Sequence, residues 1–151
     1  MTAGVPETAT EMLLFRQGGE LFALPLSAAL EVVEMPVLER VPDMTPGMLG
    51  VFAVRGAYVP VYAPELALGV PRATPHAAVL IVRRGERPIG IALEDVEDVI
   101  TVDRTRLHQP LGAAGAGVVL GVERRGGDLV GIVDAAALVE ACAASRTGEP
   151  E

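Results

Sequence analysis

A chain of 151 residues with twelve arginines, no lysine and 20 acidic residues carries a formal charge of -8, which argues against binding to nucleic-acid backbones and to anionic membrane surfaces. Half of it is hydrophobic and only 3% aromatic, so it can bury a core, that core must be aliphatic, and few rings are left to stack on bases. The single cysteine excludes an internal disulfide or a cysteine-rich metal site, and no run approaches the ~20 apolar residues of a membrane helix.

Residues 1–10 are polar, with Gly4 and Pro6 and neither a basic region nor an apolar run. They read as a loose arm without a signal peptide, and hence as part of a soluble, cytoplasmic protein. Two short apolar runs, 11–16 and 20–24, flank Gln17-Gly18-Gly19 and predict a first hairpin. Pro25 ends the second of these strands, and the Ser27 hydroxyl is placed to cap a short helical turn through Leu30. A mixed apolar stretch, 31–35, is broken by Pro36, and 38–41 reads as a further short strand before a loop at Pro42, Pro46 and Gly47. Residues 48–54 and 57–62 are apolar on both arms, with Arg55-Gly56 between them: a hairpin with an arginine at its tip. Pro60 has no N–H to donate, so its strand is expected at a sheet edge or at a bend.

Pro64 precedes one helical turn, 65–68, stopped by Gly69 and Pro71. A third hairpin joins 77–82 to 88–93 through Arg84-Gly85-Glu86. Val96 and Val99 lie in an acidic segment that leads into a strand at 100–102. Residues 104–109 read as a turn or a short extended piece, and 111–117 as a glycine- and alanine-rich loop. The fourth hairpin joins 118–123 to 129–133 around Arg125-Gly126-Gly127. Asp134 is placed to cap a helix through residue 144, with Leu138, Val139 and Cys142 at helical spacing. A polar tail, 145–151, follows.

The chain resembles itself at a period of roughly 70 residues. Leu13-Leu14-Phe15-Arg16 followed by glycines matches Leu80-Ile81-Val82-Arg83 followed by Gly85, and Glu31-Val32-Val33-Glu34 matches Glu94-Asp95-Val96-Glu97. Leu49-Gly50-Val51 matches Leu120-Gly121-Val122, Arg55-Gly56 matches Arg125-Gly126, and Tyr58-Val59-Pro60-Val61 matches Leu129-Val130-Gly131-Ile132. Each copy then enters a helix near Leu66 or Leu138. Short strands with turn signals in two copies predict an all-β fold of two small barrels, which remove sheet edges by closure.

Catalytic signatures are absent. His76 and His108 read as solvated surface histidines, and Cys142 as a small buried hydrophobe without an activating partner. The glycines between 112 and 117 precede a strand rather than a helix, so they do not make a phosphate loop. Glu94, Asp95, Glu97 and Asp98 lack calcium-loop spacing and read as the solvated face of a half-buried segment. No metal, cofactor or catalytic residue is expected. Glu31 in an apolar stretch and Arg55 at an apolar tip are either exposed charges or a recognition surface, an apolar floor with one acid and one base to orient a partner.

These residues carry a resemblance. Gly50-Val51-Phe52-Ala53-Val54-Arg55-Gly56, then Val59-Pro60-Val61-Tyr62-Ala63-Pro64-Glu65-Leu66, is similar to the Gly-Val-x-Asn-Leu-Arg-Gly and Val-x-Pro-Val-x-Asp-Leu motif of the CheW-type chemotaxis coupling proteins. Ala29-Leu30-Glu31-Val32, Gly90 to Val96, and Ile132-Val133-Asp134 to Leu138 resemble further segments of that family in the same order. The likeness runs from about Met12 to Val139.

The resemblance implies an all-β fold of two interlocked five-stranded SH3-like barrels with short helices, including a C-terminal one. It implies a single domain over residues 11–144, with lobe one at about 11–70, lobe two at about 76–133 and a terminal helix at 134–144, between an arm at 1–10 and a tail at 145–151. It implies a non-enzymatic adaptor between the cytoplasmic tip of a chemoreceptor and the regulatory domain of a CheA-type histidine kinase, located at receptor arrays on the inner face of the membrane through its partners and without direct membrane insertion. Glu31, Val32, Val33, Val51, Arg55 and Gly56 would form the receptor surface, and a hydrophobic patch of the second lobe, not resolved to residues, would face the kinase. Ala53, Val54, Ala63 and Glu94 depart from the family motifs, which leaves open an adaptor of a non-chemotaxis pathway (motility, development or gene control). A β-barrel enzyme or small-ligand binder is the reading from another class.

Overall fold

The computed structural model describes residues 8–109 and 117–144. Its strands are β1 (Ala9–Gln17), β2 (Glu20–Pro25), β3 (Glu31–Glu34), β4 (Met48–Val54), β5 (Ala57–Tyr62), β6 (Ala78–Arg84), β7 (Arg87–Leu93), β8 (Asp95–Asp103), β9 (Val119–Arg125) and β10 (Asp128–Val133). Two helices, α1 (Glu65–Leu68) and α2 (Ala135–Ala143), follow β5 and β10. The fold is all-β, as the turn-punctuated sequence predicts.

Two five-stranded sheets form, in the orders β8-β1-β2-β10-β9 and β3-β6-β7-β5-β4. Replacing each strand of the first order by its mate in the repeat, β1 by β6, β2 by β7 and so on, gives the second order. The duplication is therefore structural, and the two copies are interlocked: each sheet takes the leading hairpin of one copy and the last three strands of the other. A division into consecutive lobes near residues 70–76 is consequently not the division into sheets. The copies meet at four strand pairs, the antiparallel β1–β8 and β3–β6 and the parallel β2–β10 and β5–β7.

The swap explains the hydrophobic pattern. β1, β2, β6 and β7 read as nearly continuous apolar runs because both of their faces are covered. Met12, Leu21 and Ala23 point into one barrel with Val102, Val130 and Ile132. Val79, Ile81 and Ala92 point into the other with Val61. The alternate residues of the same strands, among them Leu13, Phe15, Phe22, Leu24, Leu80, Val82, Ile89 and Ile91, fill a third core between the barrels, closed by Leu68, Leu138, Val139 and Cys142.

Each barrel is closed by a short stretch beyond its sheet. Glu39 pairs with Val51 in one and His108 with Val122 in the other. The close approach needs glycine at Gly50 and Gly121, where a Cβ would lie 2.8 Å from the carbonyl oxygen of Glu39 or of His108.

Several local expectations need correction. Pro60 lies in β5 between β4 and β7, not on an edge. It faces Val51, whose own N–H and carbonyl bond to Glu39, and the ladder to β7 begins only at Val61, so the missing N–H leaves no partner unpaired. Ser27 caps nothing: it lies within the 3-10 turn Leu26–Ala28, which has no side-chain cap. Residues 38–41 form a single bridge, and 95–103 is one continuous strand rather than a strand at 100–102 alone. Asp134 does cap α2, accepting from the Ala137 N–H, and Gly69 in the left-handed conformation ends α1. The loop at 111–117 lies outside the described residues except for Gly117.

Candidate functional site

The barrel built from β3 to β7 carries the arginine-tipped hairpin. Val54 and Ala57 are the last pair of β4 and β5, which leaves a two-residue turn of Arg55 and Gly56. Their φ values of 49° and 86° are both left-handed, as the tightest hairpin turns require. Glycine adopts this conformation freely; arginine pays about 1 kcal/mol or more for it. Because the barrel curls closed, the tip reaches the start of β3, where Glu31 Oε1 accepts a hydrogen bond from Arg55 Nη2 at 2.8 Å. Both side chains remain open to solvent, that of Arg55 by 76%.

The other expected site residues fall around this pair unequally. Gly56 is exposed beside Arg55. Val33 shares the Glu31 face of β3 and packs half-buried into the barrel. Val32 points from the opposite face, since strand side chains alternate, and is 42% exposed. Val51 is buried at the Glu39 bridge, so it supports the barrel wall and offers no free surface. Leu30 and Tyr58 are exposed apolar side chains that sequence reading passed over. The signal for Leu30 was its parity with Val32, and for Tyr58 its place beside the tip.

The repeat supplies an internal comparison. In the second hairpin Arg125 and Asp128 are the last strand pair, so the turn is Gly126-Gly127. Arg55 therefore corresponds to Gly126, one position later than the sequence match of Arg55 with Arg125 suggests. Glu31, opposite Ile81, corresponds to Asp98, opposite Leu14. The Asp98 carboxylate accepts from the neighbouring Val99 N–H, and Arg125 turns to Glu123 and the Thr101 carbonyl. Among the described residues, the positions that match Glu31 and Arg55 in the other barrel, Asp98 and Gly126, form no such pair.

A second polar cluster lies between the barrels. Gln17 is fully buried and Glu94 nearly so. The Glu94 carboxylate accepts from the N–H groups of Gly18 and Ala73 at 2.9 and 2.8 Å, from Gln17 Nε2 at 3.2 Å and from the Thr74 hydroxyl at 3.2 Å. Burial pushes this carboxyl up, but the donors of Ala73, Gly18 and Thr74 outweigh it and hold it below the usual range. Glu65 accepts from Gln17 Nε2 and meets His76 Nε2, each at 2.5 Å.

His76 is thus nearly buried against a carboxylate, not a solvated surface residue, and Glu94 is a clasp for the 73–74 loop, not part of a solvated face. Sequence spacing could not bring Gln17, Glu65, His76 and Glu94 together, because they come from three separate places in the chain, the end of β1, the β5–β6 connection and the β7–β8 connection. Cys142 is buried as expected, and burial, with a smaller push from Glu65, raises its thiol to about 12. Among the described residues no three His, Cys, Asp or Glu side chains are grouped as metal ligands, and no helix is long and apolar enough to cross a membrane.

Comparison with known proteins places this architecture. The CheW-like domain family model matches residues 11–143. CheW of Bacillus subtilis is 26% identical over 110 residues, which cover 72% of this chain and 70% of that protein. CheW of Helicobacter pylori is 27% identical over 101 residues, or 66% of this chain and 61% of that protein. The crystal structure of the scaffolding protein CheW from Thermoanaerobacter tengcongensis superposes with a TM-score of 0.79 at 18% identity, covering 97% of each chain, which establishes the shared fold. The chain belongs to the CheW-like domain family, a family of non-enzymatic chemotaxis scaffolds.

Proposed function

We propose that this protein couples the cytoplasmic tip of a chemoreceptor to the regulatory domain of a CheA-type histidine kinase, as a scaffold at receptor arrays on the inner face of the membrane. The receptor contact is assigned to the mouth of the β3–β7 barrel, with Arg55 and Glu31 fixing orientation and Val32, Val33 and Gly56 beside them. Val51 stiffens the wall behind them. The exposed Leu120 and Leu129, which share a face of the β9–β10 hairpin, are proposed as part of the kinase-facing patch of the other barrel.

One observation carries the receptor assignment: the Arg55–Glu31 pair is not a stability device. A left-handed arginine costs about 1 kcal/mol or more, and an exposed ion pair returns about 0–1 kcal/mol. The equivalent turn of the other barrel uses glycine and forms no such pair. An arginine held at a conformational cost on an exposed tip is better accounted for by what it binds.

The test is capture of a receptor cytoplasmic fragment by the purified protein. Arg55→Asp is expected to abolish capture while the circular dichroism spectrum and melting temperature stay near wild type. Normal capture by this folded variant would remove the role assigned to Arg55.

A further inference from the structure

The outer face of the same hairpin carries a groove that the receptor contact does not use. Along β5, Tyr58, Pro60 and Tyr62 share one face by strand alternation, and along β7 Arg87 and Ile89 share the face beside them. Together with the β6–β7 turn at Arg84 and Gly85 and with Glu140 of α2, they line a groove of about 680 Å³. Its inner end is Tyr62 and Ile89, which belong to the core between the barrels. Its outer end is Tyr58, 65% exposed. The floor is two tyrosine rings and two prolines, Pro60 and Pro88; the rim is two arginines in a chain of net charge -8.

The repeat shows that the fold does not require these residues. The strand pairings place Leu129, Gly131 and Val133 where Tyr58, Pro60 and Tyr62 stand, and Gln17 and Glu20 where Arg84 and Arg87 stand. One barrel has tyrosine, proline and arginine at positions where its copy has an aliphatic floor and an acid. Arg84 is already engaged: its Nε and Nη2 donate to the two carboxylate oxygens of Glu140 at 3.0 and 3.1 Å. Arg87 has no ion-pair partner among the described residues, so it is the cation available to an incoming carboxylate.

We propose that this groove binds an extended, acidic, proline-containing segment of a protein partner. A polyproline II segment presents flat rings and unpaired carbonyls at low entropic cost, which suits grooves lined by aromatic rings and prolines. An acidic flank would meet Arg87, and Tyr58 would cover the peptide from the solvent side. The occupant is argued from charge and shape alone and does not depend on the receptor contact at Arg55.

The probe is a fluorescein-labelled peptide of alternating glutamate and proline, titrated with the full chain in low salt and read by fluorescence anisotropy. Saturable binding in the ~10–100 µM range is expected. Arg87→Glu and Tyr58→Ala should each weaken it about tenfold, and Glu20→Gln, at the exposed position of the other barrel that matches Arg87, should leave it unchanged. A lysine–proline peptide should not bind. Absence of saturation below ~1 mM, equal binding of the lysine peptide, or indifference to both groove substitutions overturns the proposal. The chain's own Glu149-Pro150-Glu151 has similar chemistry. If Glu149→Lys with Glu151→Lys in the full chain raises peptide affinity about tenfold, the groove serves that tail, and the partner proposal falls.

Discussion

Replacing Glu94 separates a structural clasp from a surface acid. In Glu94→Ala the Gln17 amide keeps Glu65 as an acceptor and the Thr74 hydroxyl can turn to water. The N–H groups of Gly18 and Ala73 lose their partner. An orphaned, partly buried donor costs about 1–3 kcal/mol, so the pair should cost about 3 kcal/mol. That is a large share of the ~5–15 kcal/mol typical of a domain and corresponds to a drop in melting temperature of about 6–12 °C.

Glu94→Gln keeps an oxygen for both amides but gives up the charge, and should cost about 1–2 kcal/mol. The sign of the pH effect follows from the lowered carboxyl. Its contribution is complete above the ordinary value of 4.5 and is lost as the pH falls through the lower folded value. Wild type should therefore lose stability on acidification in that range, and Glu94→Gln should lose less over the same range. Urea unfolding followed by circular dichroism, repeated from neutral to acidic pH, measures both. Hydrogen exchange at the Gly18 and Ala73 amides locates the damage. A Glu94→Ala protein within about 0.5 kcal/mol of wild type, or one no worse than Glu94→Gln, would refute the clasp.

Gly50→Ala should destabilise by about 2–4 kcal/mol, because its Cβ would meet the Glu39 carbonyl at 2.8 Å and the Leu38 Cβ at 2.9 Å at a φ of 150°. Gly19→Ala, with open space around it, should cost only about 1 kcal/mol; equal thermal shifts for the two would show that the barrel-closing contact does not matter. Arg55→Gly relieves the left-handed turn at the expense of unfolded-state entropy, so stability should stay within about 0.5 kcal/mol of wild type while receptor capture is lost. Cys142 should resist thiol reagents at neutral pH in the native protein and react fully in denaturant; rapid native labelling would contradict its burial.

Much of the architecture was legible because strand and turn chemistry is local. Gly18-Gly19, Arg55-Gly56 and Gly126-Gly127 mark their turns by residue type, and the repeat is visible at Gly50 and Gly121, where both copies need the same close approach. The exchange of hairpins between sheets was not legible. Strand partners are chosen by packing across the whole chain: β1 pairs on one edge with β2, as its turn announces, and on the other with residues near 100, which belong to the second copy. At the candidate site Glu31 and Arg55 could be singled out as charges in apolar surroundings, and the structure joins them. Val51 and Val32 could not be told apart from sequence, since one is buried by a bridge to Glu39 that no local pattern announces. His76 and Gln17 were misplaced for the same reason: their partners come from distant turns.

The exchange of hairpins also sets the order of events at the ribosome. The β1–β2 hairpin emerges about 70 residues before β8 and still earlier than β10, which at ~5–20 residues per second means several seconds without either neighbour. Both edges of that ribbon are unpaired meanwhile, and both of its faces are apolar. The β3–β7 sheet can be completed first, since its strands are contiguous in the chain, and it can shelter the inner face of the waiting hairpin. The barrel that carries Arg55 is thus the one able to form during synthesis, and the other can close only after β10 has been made.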